Sequence, residues 1–191
     1  TGNIQAQNIS NNQFGDLPYY VSKGKWKLPT KADFDDLMAH SGQYLGYYYD
    51  GLNTVYGVLF DPTVAESLKG KVLDKNDNVL KASNTDASAV SVGKPNTSGN
   101  KLKQFTISDM KRGIFFPFAG TYTDYSVGNP VLNKPGSWGS YWTANGTNAG
   151  QAQSFTGQYL NNGQFYPCTT VGVSAQNPKR NMYSIRPIYA K

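Results

Sequence analysis

Trp26-Lys27-Leu28-Pro29-Thr30-Lys31-Ala32-Asp33-Phe34-Asp35-Asp36-Leu37 is the stretch whose reading decides the fold. Proline holds Leu28 extended, and Thr30 carries the side-chain oxygen an N-cap needs, so a helix is expected to begin there at a set angle to the preceding chain. Phe34, Leu37 and Met38 fall at helical spacing and predict one buried face, with Gly42 as the expected stop. Asp33, Asp35 and Asp36 lie early and His40 late, which suits the helix dipole and accounts for the acids without a metal or an acid–base pair.

Upstream, residues 1–25 are rich in Asn and Gln and carry a Gly15-Asp16-Leu17-Pro18 turn signal and a Tyr19-Tyr20-Val21 patch; a connector ending in one strand is expected. Downstream, residues 55–60 read as a strand, and Asp61-Pro62 as the start of a short second helix ending at Gly70. Lys71-Val72-Leu73 and Asn78-Val79-Leu80 predict a hairpin, followed by a Ser, Asn, Thr and Gly-rich loop, so residues 71–112 read as a loop-rich, mobile insertion. Beyond it, Phe115 to Ala119, Ser140 to Ala144, Gln153 to Leu160, Gln164 to Val173 and Tyr183 to Ala190 read as strands separated by turns. The expected class is α+β: antiparallel sheets with one main N-terminal helix.

Composition narrows the chemistry. A chain of 191 residues suits one large domain, and 16% charged residues with 20 Gly and 14 Tyr point to a β-rich, loop-rich protein. The formal charge of +6 favours anionic partners, but the basic pairs Lys25/Lys27, Lys101/Lys103, Lys111/Arg112 and Lys179/Arg180 are scattered and form no nucleic-acid motif. Cys168 is alone, which excludes an intrachain disulfide and a multi-cysteine zinc site, and His40 is the one histidine. No apolar run reaches the roughly 20 residues of a membrane helix, so no membrane insertion is expected. No phosphate-binding glycine loop is present. Asp74-Lys75-Asn76-Asp77-Asn78 resembles the start of a calcium loop, but Val79 stands where glycine is needed and Thr85 where glutamate is needed, so a hairpin turn is the reading. No cofactor is expected.

Four spaced signatures carry more information: the opening stretch, then Phe115-Phe116-Pro117-Phe118-Ala119-Gly120, Gly139-Ser140-Tyr141-Trp142-Thr143-Ala144, and Tyr183-Ser184-Ile185-Arg186-Pro187-Ile188. Their order resembles the major paralogous domain (FISUMP) of gut-bacterial surface proteins, found in fimbrillin-like adhesins, with a C-type lectin-like fold related to formylglycine-generating enzymes. The resemblance spans about residues 26–189. It implies an exported cell-surface location and makes Trp26, Pro29, Thr30, Trp142 and Arg186 fold residues, with Arg186 tying the chain end to the sheet. Alternation along the strand puts Tyr141 and Trp142 on opposite faces, and Trp142 is expected to be the buried one. Only one cysteine exists, so the oxidase chemistry of the formylglycine enzymes is not implied. Asn177-Pro178-Lys179 and Trp142-Thr143-Ala144 depart from the motifs of calcium-dependent sugar-binding lectins.

The function expected from the resemblance is a noncatalytic adhesin domain that binds a glycan or a host or bacterial surface protein, with other pilus subunits as further partners. Its candidate ligand-binding residues are Asn145, Asn148, Tyr159, Asn161, Asn162, Tyr166, Asn177, Arg180 and Asn181, because Asn and Tyr supply adaptable hydrogen bonds and rigid contact area. Three alternatives stand beside it: a retroelement-diversified receptor-binding protein, a carboxylate-based hydrolase using Asp109 and Asp124, and a polyanion or nucleic-acid binder.

Overall fold

Thr30 caps a helix as its position predicts. In the computed structural model, which describes residues 16–81, 89–123, 131–148, 151–160, 162–171 and 183–190, helix α2 runs Lys31–Ala39. The Asp33 N–H donates to the Thr30 hydroxyl, and the Asp33 carboxylate accepts from the Thr30 N–H at 2.7 Å, a reciprocal capping box. The helix ends at its C-cap His40, two residues before Gly42, which instead opens a strand.

The Tyr19-Tyr20-Val21 patch is helical. Helix α1 spans Leu17–Val21, with Pro18 in its first turn, where a missing N–H costs nothing. Asp16, almost fully buried, accepts from the Tyr19 N–H at 2.9 Å and from the Leu28 N–H at 3.0 Å. The same carboxylate that caps α1 therefore anchors it to the signature stretch, which a strand could not do.

The central strand is β2 (Gly42–Tyr49), a segment the periodicity did not single out because it is buried along most of its length and shows no alternation. One edge of β2 pairs antiparallel with β3 (Thr54–Asp61) over the full length of both. Its other edge is shared by two short parallel partners, β4 (Val72–Leu73) and β7 (Lys103–Phe105). The hairpin to β5 (Val79–Lys81) and the strand β8 (Ile114–Pro117) complete this first sheet in the order β5-β4-β2-β3-β8. A second sheet orders β11 (Trp138–Asn148), β12 (Gln151–Leu160), β13 (Gln164–Val171) and β6 (Val90–Ser91). Two ribbons join β9 (Thr121–Thr123) to β10 (Val131–Asn133), and β1 (Trp26–Lys27) to β14 (Ile188–Tyr189). Antiparallel pairing dominates and the helices are short, an α+β arrangement.

An aromatic core fills the space between the sheets. Phe34 of α2 stacks on Phe155 at 4.3 Å, and Phe116 meets Phe60, Phe155 and Tyr141 edge to face at 5.0–5.5 Å. The opposite face of the first sheet carries Tyr44, Leu59, Leu73 and Phe105, covered by the 3-10 turn Glu66–Leu68 and by α3 (Ile107–Arg112). The helix expected after Asp61-Pro62 is only that turn, because the Asp61 carboxylate accepts from the Thr63 N–H and hydroxyl and folds the chain locally. Within the segment read as an insertion, Val72, Leu73, Val90, Val92, Leu102 and Phe105 are all buried, so its described residues supply core.

Cross-strand glycine pairs make this packing possible. Gly46 and Gly57 face each other across β2 and β3, and the rings of Phe105 and Phe115 lie where their side chains would be. Gly139 and Gly157 do the same across β11 and β12, where Phe118 fills the slot.

Candidate functional site

The four signature segments, far apart in the chain, meet around one ring. Phe34 lies 6.1 Å from Phe116, Tyr141 lies 5.0 Å from it, and the Arg186 guanidinium carbon sits 5.6 Å above it. Tyr141 donates its hydroxyl to the Pro117 carbonyl. It is Tyr141 that is buried, whereas Trp142 is half-buried and stacks on Tyr183 at 4.4 Å. The expectation for Trp142 is thus reversed: alternation separates the two rings, but the phase of the strand, set by the Gly139/Gly157 slot on the same face as Tyr141, decides which goes in. Trp26 is exposed and meets Tyr189 edge to face at 5.7 Å in the ribbon of β1 with β14. Pro29 accepts from the Ala144 N–H at 2.8 Å, and Ser184 bridges β11 through bonds to Trp142 and Ser140, so the free edge of the second sheet is closed.

Between α2, β8 and the segment 186–189 lies a groove of about 450 Å³. Phe34 and Phe116 reach it from the core, Ile114, Leu37 and Ile188 add apolar wall, and Arg186 lines it together with Asp33 and Asp36 of α2. Arg186 is exposed and has no hydrogen bond or ion pair to any described residue; its contact is the Phe116 ring. The fork of a guanidinium held on an aromatic face is ready to take a planar anion. The sequence placed Arg186 as a structural residue, and its proximity to Phe116 and α2 was not readable locally.

The loop residues expected to bind ligand do not converge. Asn145 and Asn148 stand at the end of β11 and Asn162 in the turn after β12, at opposite ends of a ten-residue strand, roughly 30 Å apart at 3.3 Å per residue. The Asn145 amide oxygen accepts the Lys31 N–H at 2.6 Å and so caps α2. Tyr159 is corrected from surface to core: 2% exposed, it stacks on Tyr56 at 4.4 Å, donates to the Gly93 carbonyl at 3.2 Å, and burial, then Tyr56, push its phenol up to about 12. Asn162 braces its own turn, accepting from the Gln164 N–H, and Tyr166 is half-buried on β13 opposite Gln158. Asn161, Asn177, Arg180 and Asn181 lie outside the described residues.

The other chemistry weighed from sequence also finds its place. Asp74 accepts from the Asn76 and Asn78 N–H groups and closes the β4–β5 hairpin. Among the described residues no group of three His, Cys, Asp or Glu side chains is placed to hold a metal ion, and no helix is long and apolar enough to cross a membrane. Cys168 is buried, and burial raises its thiol far above the ordinary range, so it is a packing residue in the neutral form. Lys103 lies over the Tyr44 ring at 3.9 Å, and Arg112 pairs with Asp61 at 2.8 Å and Asp109 at 2.9 Å, so these basic residues have internal partners.

Asp109 is therefore a cap and ion-pair residue. Burial pushes its carboxyl up, but hydrogen bonds from Thr106, the charge of Lys103 and the bond from Arg112 together hold it below the usual carboxylate range. A general acid needs the opposite shift. Asp124 lies outside the described residues. Asp61 is likewise held low: burial raises it, and the Thr63 bonds and Arg112 more than offset that. Depressed carboxyls stabilise the fold above their unfolded pKa of about 4 and stop doing so as pH falls through the folded values. Thermal midpoints of the wild type should thus drop below about pH 4. An Arg112→Met variant should be less stable at pH 7 and lose less on acidification; parallel curves for the two proteins would refute the linkage.

No protein-family model matches this chain. No curated protein sequence matches it significantly, and neither does any solved structure. Its functional reading therefore rests on its own residues and on the resemblance carried by its signatures.

Proposed function

We propose that this chain is a noncatalytic binding domain with a C-type lectin-like fold, part of an exported bacterial cell-surface or pilus-associated adhesin. One observation carries the reading: the four segments that resemble the FISUMP pattern assemble around Phe116, with Phe34, Tyr141 and Arg186 in contact with its ring. The ribbon of Trp26 and Lys27 with Ile188 and Tyr189 joins the two ends of the region the resemblance spans. The acid considered for hydrolysis whose surroundings are described is engaged in a cap and an ion pair, which favours binding over carboxylate catalysis.

The test is a screen of the purified chain on a mixed glycan and surface-protein array, with and without calcium and at two salt concentrations. Saturable binding that persists at high salt is the expected result. Binding to polyanions alone, lost steeply with salt, would replace this reading with an electrostatic one, and no binding under any condition would remove the adhesin reading.

A further inference from the structure

We propose that the groove between α2, β8 and residues 186–189 holds a polypeptide segment presenting a carboxylate beside an apolar side chain, the carboxylate on Arg186 and the apolar group against Ile114, Leu37 and Ile188. This rests on reading the domain as a noncatalytic binder, and it selects a protein over a glycan as the ligand.

The argument begins with the guanidinium. Arg186 projects from a segment pinned on both sides, by Ser184 against β11 and by Ile188 in the ribbon with β1. Its head rests on the Phe116 ring, and no described residue takes its donors. An arginine tied down by its backbone and by an aromatic face loses little freedom on binding, and its parallel N–H groups match a carboxylate with two bonds. Apart from Arg186, the two aspartates of α2 and Tyr189, the lining is apolar, with Ile114, Leu37 and Ile188 forming its sides. A sugar would leave most of its hydroxyls facing carbon there, whereas an aliphatic side chain gains from the same surface.

Charge complementarity points the same way. Asp36 on the α2 wall is largely exposed, its one close side-chain neighbour being His40 Nδ1 at 3.0 Å on the same helix, while the Asp33 carboxylate is engaged by Thr30. No ion pair crosses the groove among the described residues, so one wall presents a cation and the other an anion. A second carboxylate on the ligand would be repelled by Asp36, and a backbone N–H or a lysine would be accepted. The occupant is thus zwitterionic or amide-rich, as a peptide is. Strand β8 is the last strand of its sheet in the strand order, and Ile114 and Phe116 from one of its faces line the groove. The volume of about 450 Å³ lies in the range of ligand sites, ~300–1,000 Å³.

The test titrates the full chain with N-acetyl-leucine, N-acetyl-leucine amide and glucuronate to about 10 mM, the weak regime expected of single-residue ligands. Binding is read from backbone amide shifts of residues 33–37 and 114–118. N-acetyl-leucine should bind about tenfold more tightly than its amide, and Arg186→Gln should abolish that preference while lowering the thermal midpoint by only about 1–4 °C, the worth of its contact with Phe116. Arg186→Lys should restore only part of it, since an ammonium cannot form the paired bonds. Acetyl-Leu-Glu amide and acetyl-Ala-Leu then tell a side-chain carboxylate from a chain end. Equal binding of acid and amide, no shift at all, or a preference for glucuronate each overturns the proposal. If Arg186→Gln loses the leucine response but keeps its array ligand, the groove site stands and is separate from adhesion. If the response is absent while array binding persists, the proposal falls and the binder reading survives.

Discussion

Gly46→Ala should lower stability by at least about 3 kcal/mol, the upper end of the cost of overpacking a core. A carbon placed there would lie 2.0 Å from the Lys103 carbonyl oxygen and 2.8 Å from the Phe105 ring. Both belong to β7, which pairs parallel with β2 at Gly46, Tyr47 and Tyr48. The nearer atom is backbone, so no rotamer change relieves the contact and β7 must leave its ladder, taking Phe105 out of the cluster it shares with Tyr44, Leu59 and Leu73. For a domain of this length the thermal midpoint should fall by roughly 6–12 °C. Gly51→Ala is the control: its φ of +99° strains an alanine, but nothing lies within 4 Å. It should cost about 1 kcal/mol. Equal midpoints for the two variants would mean that the β2–β7 approach is not rigid.

Gln43→Leu is expected to cost about 2–5 kcal/mol although it keeps the side chain's size and removes a polar group from the core. Gln43 is completely buried, and its amide makes two bonds to one residue: it accepts the Cys168 N–H at 2.6 Å and donates to the Cys168 carbonyl at 3.4 Å. The need for those bonds comes from β13. Its register against β12 shifts between Thr156/Thr169 and Gln158/Tyr166, leaving Pro167 and Cys168 opposite Gly157, a bulge. Gln43 occupies the place of the missing strand and links the two sheets. Leucine would leave a buried N–H and a buried carbonyl without partners. Gln43→Glu sharpens the test, because a neutral carboxylic acid can make both bonds and a carboxylate cannot. Burial raises that acid's folded pKa above the unfolded value of about 4.3, so the variant should be nearest to wild type at acid pH and fall behind as pH rises through the folded value. Urea midpoints across pH would show this. A pH-independent deficit would mean the amide acts only by filling space.

What was legible in the sequence was short in range. The Thr30 cap acts within the four residues from Thr30 to Asp33, and the β4–β5 hairpin closes over the five residues from Asp74 to Asn78. Each is decided by groups that are neighbours in the unfolded chain as well. Strands β11, β12 and β13 were legible because their turn residues and alternation are local too, whereas the strand expected over Tyr183 to Ala190 is only Ile188–Tyr189, the preceding residues being held to β11 through the single bridge at Ser184. The helix α1 was missed because its cap serves a tertiary purpose, the Asp16 bond to Leu28 twelve residues away. Strand β2 was missed because a strand buried on both faces has no alternation to read.

The candidate site divides along the same line. Composition and pattern selected Asn and Tyr at turns, yet Asn145 is drawn to the α2 N-terminus 114 residues away and Tyr159 into the core against Tyr56. The groove combines Asp36, Ile114, Phe116 and Arg186, whose only common property is their position in space. By itself the sequence determined the class of the fold, the main helix with its cap, and the signatures around which the molecule is built, since these depend on backbone preference and on bonds between near neighbours. The tertiary structure alone decided which of Tyr141 and Trp142 is buried, what Gln43 completes, and that the Arg186 guanidinium lies over the Phe116 ring. Those outcomes turn on the phase and register of strands brought together from distant parts of the chain, and a shift of one residue would reverse each of them.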